Sequence, residues 1–444
     1  MTAATVPRWL TKPERKLEQF LKYGRKVYDV LPRLARVRDG RRRPQVSTAD
    51  VIRALFFTAV LRLPSLNALE GELKRTPWQR LLGGKAEPGH KSFSADTVAR
   101  VLDSLQLDPL RQILHALIHQ TERKKVFRDG PLGAQRRVAL DGWEPFSSYD
   151  RHCTDCLTRT VLRGEHRVLQ YYHQFVVALL LGETAELVLD FEPLRTADMR
   201  RQNGESTDRH DGEQTAALRL IDRLHATFGS WLHLFVLDAL YPNGPVMTRL
   251  TELGYGAVIT VKKETDEPLK EALNLMRHQP AVKTWENLQR KEQIKAWDID
   301  EIETLDTFGG KVRVVRAEVS PTRGGKTHVW CAAVVGQRAR QLRVQTIHRI
   351  QRSRWHEENT AFNQWTQLWH LTHVYRHKPG AVVALLLLWL LAFNLMQLFV
   401  YRRLRRPRVP RDPCDTIRAL VAQMAQELVT LKAPVPWAAL LDSS

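Results

Sequence analysis

The sequence predicts an α/β protein, a mixed sheet layered with helices, preceded by an all-helical N-terminal stretch. Three observations carry that expectation. Capped helical patterns fill residues 1–130; from 131 apolar, aromatic and β-branched runs alternate with a long helical pattern; a polar stretch of alternating hydrophobicity then precedes a second helical region. The expected segments are 1–130 (helical), 131–264 (first part of the α/β core), 265–335 (a β-rich insertion), 336–400 (the helical C-terminal part of the core) and 401–444 (a basic tail and helix).

Taken in order, STAD (47–50) reads as an N-cap ahead of the apolar run Val51, Ile52, Leu55, Phe56. PSLNALEGEL and SADTVARVLDSL read as two further short helices. Several short basic helices in succession fit a helix-turn-helix DNA-binding domain, and equally a plain bundle. RRVALDGWEPF is a short apolar run ending in Asp141; YYHQFVVALLLG and AELVLDFEPL are strand candidates. DGEQTAALRLIDRLHATFG has helical spacing at Ala216, Leu220, Ile221 and Leu224. WLHLFVLDALY is a strand ending in Asp238, and YGAVITVKK is another. KVRVVRAEVS and KTHVWCAAVV supply the β character of 265–335.

The formal net charge is +20 and the pI about 10.0. An excess of that size points to a polyanionic partner, nucleic acid or an anionic membrane surface. Four cysteines exclude a disulfide framework and favour a reducing compartment. The N-terminal residues show no apolar signal-peptide core. AVVALLLLWLLAFNLMQLFV (381–400) is long and apolar enough to span a bilayer, but both flanks are basic and Asn394 and Gln397 interrupt it. A helix buried against the sheet, beside an aromatic stripe, is the expectation, with no membrane partner.

That stripe raises the central question. Between Arg338 and Lys378 there are eight Lys or Arg and two acids, Glu357 and Glu358. Read as a helix over 351–369, Trp355, Phe362, Trp365 and Trp369 share one face with Glu358, while Glu357 lies about 100° round with Arg354 and Ala361. A carboxylate on an apolar face needs a partner, an arginine or a metal ion. Asp141 and Asp238, each at the end of an apolar run, are candidates to meet it at the edge of a sheet. Aspartates also simply stop strands, and Asp190 in LVLDFEPL shows the same pattern. Glu358 with Asp141 and Asp238 makes a hard oxygen-donor set suited to Mg2+ or Mn2+, and a pair of such ions drives in-line displacement at phosphorus. Basic residues around it, Arg349, Arg352, Arg354, Arg376 and Lys378, would grip a phosphate backbone.

The order Asp, Asp, then Glu on a basic helix resembles the DDE transposases of bacterial insertion sequences. LDGWEPFSSYDRHCTDCLTR, YYHQFVVALLLG, VLDALYPNGPV and RWHEENTAFNQW are similar to the ISNCY-like and related groups, over residues 135–400, with a fainter echo in FSADTVARVL. The resemblance implies a ribonuclease H-like catalytic core that cuts and joins DNA at element ends, with a β-rich insertion between the second Asp and the Glu. It also implies Asp141, Asp238 and Glu358 as the catalytic acids, Arg354 as the arginine one turn before the last, double-stranded DNA as partner, a homo-oligomer on DNA, and a bacterial cytoplasm with the nucleoid as location. The family pattern often carries Tyr where this chain has Gln351 and Lys where it has Trp365. A catalytically inactive, transposase-derived DNA-binding protein is the alternative.

HCTDC places Cys153 and Cys156 in CxxC spacing, with His152, His166 and His173 nearby. Two cysteines with one or two histidines fit structural zinc, and two plain thiols in a turn fit the same letters.

Overall fold

The three serine-led patterns fold as read, in a computed structural model that describes residues 15–83, 92–262, 267–303, 305, 307–354, 361–405 and 414–437. From the N-terminus the chain forms α1 (Lys16–Lys26), α2 (Val30–Leu34), α3 (Thr48–Leu61), α4 (Leu66–Leu73), α5 (Thr76–Leu81), α6 (Ala95–Asp103) and α7 (Leu107–Arg123). It continues through β1 (Arg137–Ser148), β2 (Leu157–Arg163), β3 (His166–Leu181), β4 (Glu186–Pro193), α8 (Ala197–Gln202), α9 (Glu213–Phe228), β5 (Leu234–Leu237), α10 (Gly244–Glu252) and β6 (Gly256–Val261). Then come α11 (Glu267–Met276), β7 (Lys283–Asn287), β8 (Glu292–Ile302), β9 (Val312–Pro321), β10 (His328–Val335), α12 (Gln337–Arg340), α13 (Val344–Ser353), α14 (Asn363–Leu368), α15 (Pro379–Leu398) and α16 (Ile417–Val429). Ser47, Ser65 and Ser94 each accept the N–H of the third residue on, Asp50, Ala68 and Thr97, and so satisfy a donor that the first helical turn leaves unpaired.

The elements group into two compact units, one from residues 1–123 with 365–444, the other from 124–364. The first unit is helical and joins the two ends of the chain. The Glu427 carboxylate of α16 accepts the Lys16 and Leu17 backbone N–H groups at 2.9 and 2.8 Å, an acid at the positive end of α1. α15 is apolar all round and buried on every side, as such a helix must be. It is long and apolar enough to cross a membrane by length and composition, yet the protein itself covers it. Its expected cover was the sheet. Within its own unit its neighbours are α3, α6 and α7, whose apolar faces include Val51, Leu55, Val98, Val101, Leu114 and Ile118. Trp365 and Trp369, two members of the predicted stripe, do meet it, each edge-on to Phe393 with ring centres 5.7 and 5.6 Å apart. The stretch 336–400, read from sequence as one part of the core, is therefore divided between the units near residue 364.

In the second unit ten strands form one mixed sheet, ordered β2-β3-β1-β5-β6-β10-β9-β8-β7, with β4 on β3. β1, β5 and β6 are parallel neighbours, and the other pairs are antiparallel. The region expected as a β-rich insertion carries α11 and four strands that extend this same sheet, since β10 pairs with β6 from Val335 opposite Ala257 to Cys331 opposite Val261. β1 also runs past Asp141, where sequence ended it, because its second half pairs with the long β3 as far as Ser148 opposite Tyr171.

The turn from β10 into α12 requires glycine. Gly336 has φ +78°, and a methyl on it would lie 2.2 Å from the Tyr255 carbonyl oxygen. Gly336→Ala should cost about 3 kcal/mol, from backbone strain and a clash with main chain that cannot swing aside. Thermal unfolding of the two proteins checks this, and an unchanged midpoint would contradict it.

His348 on α13 is buried against Trp285 and Trp330, ring centres 5.7 and 6.4 Å away, next to a small core of Ile294, Ala296, Ala317 and Val319. Burial, aided by Arg352, pushes its pKa down from 6.5 to about 4. The unfolded chain therefore binds a proton below about 6.5 that the folded chain refuses until about 4. Stability contributed by neutral His348 is complete above about 6.5 and is lost as pH falls toward 4, by about 3 kcal/mol over that window. In His348→Leu this acid loss should shrink, read as urea midpoints at pH 7 and pH 4.5; an unaltered difference between the two pH values would contradict the assignment.

Candidate active site

β1 and β5 lie side by side and parallel, in register from Arg137 opposite Leu234 to Leu140 opposite Leu237. The next residue on each is an aspartate, Asp141 and Asp238. Neighbouring parallel strands stand about 4.8 Å apart, so one step of sequence beyond the last pair brings two carboxylates together. Asp238 is held by a turn of its own making, its Oδ1 accepting the Leu240 N–H at 2.8 Å. Asp141 Oδ1 accepts the Gly142 N–H at 2.8 Å, and Oδ2 faces Arg354 Nη1 at 3.4 Å.

A third carboxylate joins them that sequence reasoning did not single out. Glu213 opens α9; its Oε1 accepts from the Tyr241 hydroxyl at 2.8 Å and its Oε2 from Gln174 Nε2 at 3.1 Å. Gly142 makes room for it, since a Cβ there would lie 2.1 Å from Glu213 Oε2. In sequence Glu213 looks like any acid in a first helical turn, and only its contact with β1 distinguishes it. Burial raises the Asp141 pKa to about 7, against the pull of Arg354 and with the push of Asp238 and Glu213. Burial also raises Glu213, opposed by the Tyr241 hydrogen bond and assisted by Asp238. Crowded, partly desolvated carboxylates of this kind are relieved by a cation, and an all-oxygen donor set fits a hard divalent ion.

Glu358 and its neighbour Glu357, with Trp355, lie outside the described residues. On either side of them the predicted helix over 351–369 appears as α13, ending at Ser353, and α14, starting at Asn363. Two residues flanking that gap reach β1: Arg354 contacts Asp141, and the Phe362 ring stacks on Trp143 with centres 6.4 Å apart. Gln351 is buried, its Nε2 donating to the Cys331 carbonyl at 2.7 Å, and Trp365 is fully buried on Phe393. Gln351 and Trp365, the two positions at which the resemblance lapses, are thus core positions.

The expected phosphate-gripping residues are partnered to different degrees. Arg354 is 8% exposed and turned to Asp141 rather than outward. Arg352 pairs with Glu292 at 2.6 Å, while Arg349 is exposed. In the helical unit, Arg376 and Lys378 both pair with Asp103, at 2.7 and 3.0 Å. Asp190, which like the two strand-end aspartates follows an apolar run, is fully buried in an arginine network and belongs to the core.

Residues 194–395 match the family model of the transposase DDE domain. The match supports reading the chain as a DDE transposase, an enzyme of the nucleotidyl-transfer kind whose family generally uses divalent metal ions. It takes in Glu213, Asp238, Arg354 and Glu358 and begins after Asp141, whose inclusion rests on the β1–β5 register. No curated protein matches the chain. A mixed ten-stranded sheet flanked by helices is consistent with a DDE transposase. Among the described residues, Cys153, Cys156 and His173 form a cluster able to hold a metal.

Proposed function

We propose that this chain is the transposase of a bacterial insertion sequence, of the ISNCY-like kind, with a ribonuclease H-like core that binds the ends of its element, cleaves them and joins them to target DNA. The observation that carries the reading is the register of β1 and β5, which sets Asp141 beside Asp238 within reach of Arg354, four positions before Glu358 in the sequence. Asp141, Asp238 and Glu358 would hold the divalent ions, Mg2+ or Mn2+. Bound metal supplies charge neutralisation at the phosphate and an activated water or 3′ hydroxyl. Glu213, fixed by Tyr241 and Gln174, backs Asp141 through Gly142 and keeps that carboxylate at the edge of the sheet. Arg354 balances the Asp141 charge while no metal is bound.

The net charge of +20 supports a DNA partner. Arg349, Arg352, Arg376 and Lys378 would contact backbone phosphates, with end-specific contacts mainly in the helices before residue 130. The working form is a homo-oligomer on DNA at the nucleoid, without a membrane partner. DNA recognition should be tested in the full chain, because α15 supplies the core against which α3, α6 and α7 pack.

The experiment uses purified full-length protein and a duplex ending in the inverted repeats that flank its reading frame. Binding should favour that duplex over random DNA and weaken steeply with salt, and Mg2+ should produce nicks at the element end that EDTA suppresses. Tight, end-specific binding with no cleavage in Mg2+ or Mn2+ would instead establish an inactive DNA-binding descendant.

A further inference from the structure

The loop between β1 and β2 brings two sulfurs and one imidazole to a single point. Cys153 and Cys156 lie in a tight turn, with the Cys156 N–H donating to the Cys153 carbonyl at 3.2 Å and the Cys153 N–H to Cys156 Sγ at 3.3 Å. Such a main-chain N–H directed at sulfur favours the thiolate. His173 projects from β3, opposite Phe146 of β1. Its Nε2 is 3.3 Å from Cys153 Sγ and 3.4 Å from Cys156 Sγ, and the sulfurs are 3.7 Å apart.

These three distances bear on the readings that the sequence left open. A disulfide requires sulfurs about 2.05 Å apart, and both cysteines are free. A plain hydrogen bond would tie the imidazole nitrogen to one sulfur, whereas here it stands equally close to both. Zinc bonds of about 2.3 Å to sulfur and about 2.0 Å to nitrogen, at tetrahedral angles, give edges of about 3.8 Å between sulfurs and about 3.5 Å between sulfur and nitrogen. The observed triangle has that size. The other two histidines are elsewhere: His152 is exposed and stacks on Tyr171 with ring centres 4.5 Å apart, and His166 is exposed at the turn between β2 and β3.

We propose that Cys153, Cys156 and His173 supply three of the four ligands of one structural zinc ion. The proposal does not depend on the transposase reading. On binding, each thiol gives its proton to solvent and the neutral imidazole donates its Nε2 lone pair. The ion would clasp the β1–β2 loop to β3, on the two strands that also carry Asp141 opposite Val177. The His173 ring packs against Phe146 at 5.6 Å and Phe175 at 6.4 Å, and Phe175 meets Trp143 at 6.5 Å. The site thus anchors the half of β1 that leads away from Asp141.

The test uses tag-free full-length protein purified under reducing conditions from zinc-supplied cells. Metal analysis should find about one zinc per chain, and replacement by Co2+ should give the intense near-ultraviolet absorption of thiolate-bound cobalt. His152→Ala and His166→Ala should keep the metal; Cys153→Ser with Cys156→Ser, and separately His173→Ala, should lose it. Wild-type protein without zinc and without the cobalt absorption would overturn the proposal, as would a Cys153–Cys156 disulfide in the reduced preparation or full zinc retention in the double cysteine variant. If the cysteine variant does not fold, the zinc content and cobalt spectrum of the wild type decide.

Discussion

Asp141→Asn and Asp238→Asn should each abolish Mg2+-dependent cleavage and strand transfer while leaving DNA binding at or near the wild-type level. Asparagine keeps the size of the side chain and the hydrogen bonds from Gly142 and Leu240, and removes the negative charge that holds a cation. A metal ion stabilises charge at the reacting phosphate by several kcal/mol, so its loss is expected to slow the reaction by about 10³-fold. DNA binding survives because the phosphate contacts come from other residues, and removal of an acid from a basic protein opposes polyanion binding less. Glu358→Gln should join the inactive pair and Glu357→Gln should keep most activity, since the helix expected from sequence over 351–369 would turn only Glu358 to the stripe that includes Phe362. The readouts are single-turnover cleavage of an element-end duplex and a mobility-shift titration on the same DNA. Retained cleavage in either aspartate variant would remove that residue from the site; a dead Glu357→Gln beside a live Glu358→Gln would show that the register is wrong.

Arg223→Ala should lower stability by about 3–5 kcal/mol, the range expected when one partner of a buried ion pair is deleted. Arg223 of α9 donates to Asp190 Oδ2 at 2.8 Å, to Glu192 Oε2 at 2.6 Å and to the Phe191 carbonyl at 2.8 Å. Arg219 donates to Glu192 at 2.7 Å and to Asp211 at 2.6 Å. Asp190 is fully buried and Glu192 nearly so, so deletion of Arg223 takes from Asp190 the arginine that pairs with it and leaves Glu192 to Arg219 and Arg195. Lysine should recover only part of the loss, because an ammonium cannot reproduce the forked contacts. This network fixes α9 on β4, and α9 carries Glu213, so activity should fall with stability. Urea denaturation of wild type, Arg223→Ala and Arg223→Lys measures it. A loss below about 1 kcal/mol would mean that solvent screens the pair as it does at a surface.

What the sequence determined by itself is whatever a few adjacent residues encode. Ser47, Ser65 and Ser94 cap helices through contacts three residues away, and α9, β3, β4 and β6 follow from local periodicity and strand composition. The polyanion-seeking charge is a sum over letters. Asp141 and Asp238 were legible as acids closing apolar runs, but so was Asp190, and nothing local separates them: the first two follow the last pair of the parallel β1–β5 register, inside the sheet, while the third sits in an arginine network built from another helix. Tertiary structure alone chose His173 over His152 and His166, brought Glu213 to Gly142 from 71 positions away along the chain, ran β7–β10 onto the edge of β6, and gave α15 the N-terminal helices as neighbours. The physical reason is the same in each case. A cap or an amphipathic period is satisfied within one or two turns of its own chain, whereas a buried charge, a metal ligand or an apolar helix is satisfied only by groups that folding brings from far away, and one sequence pattern is compatible with several such partners.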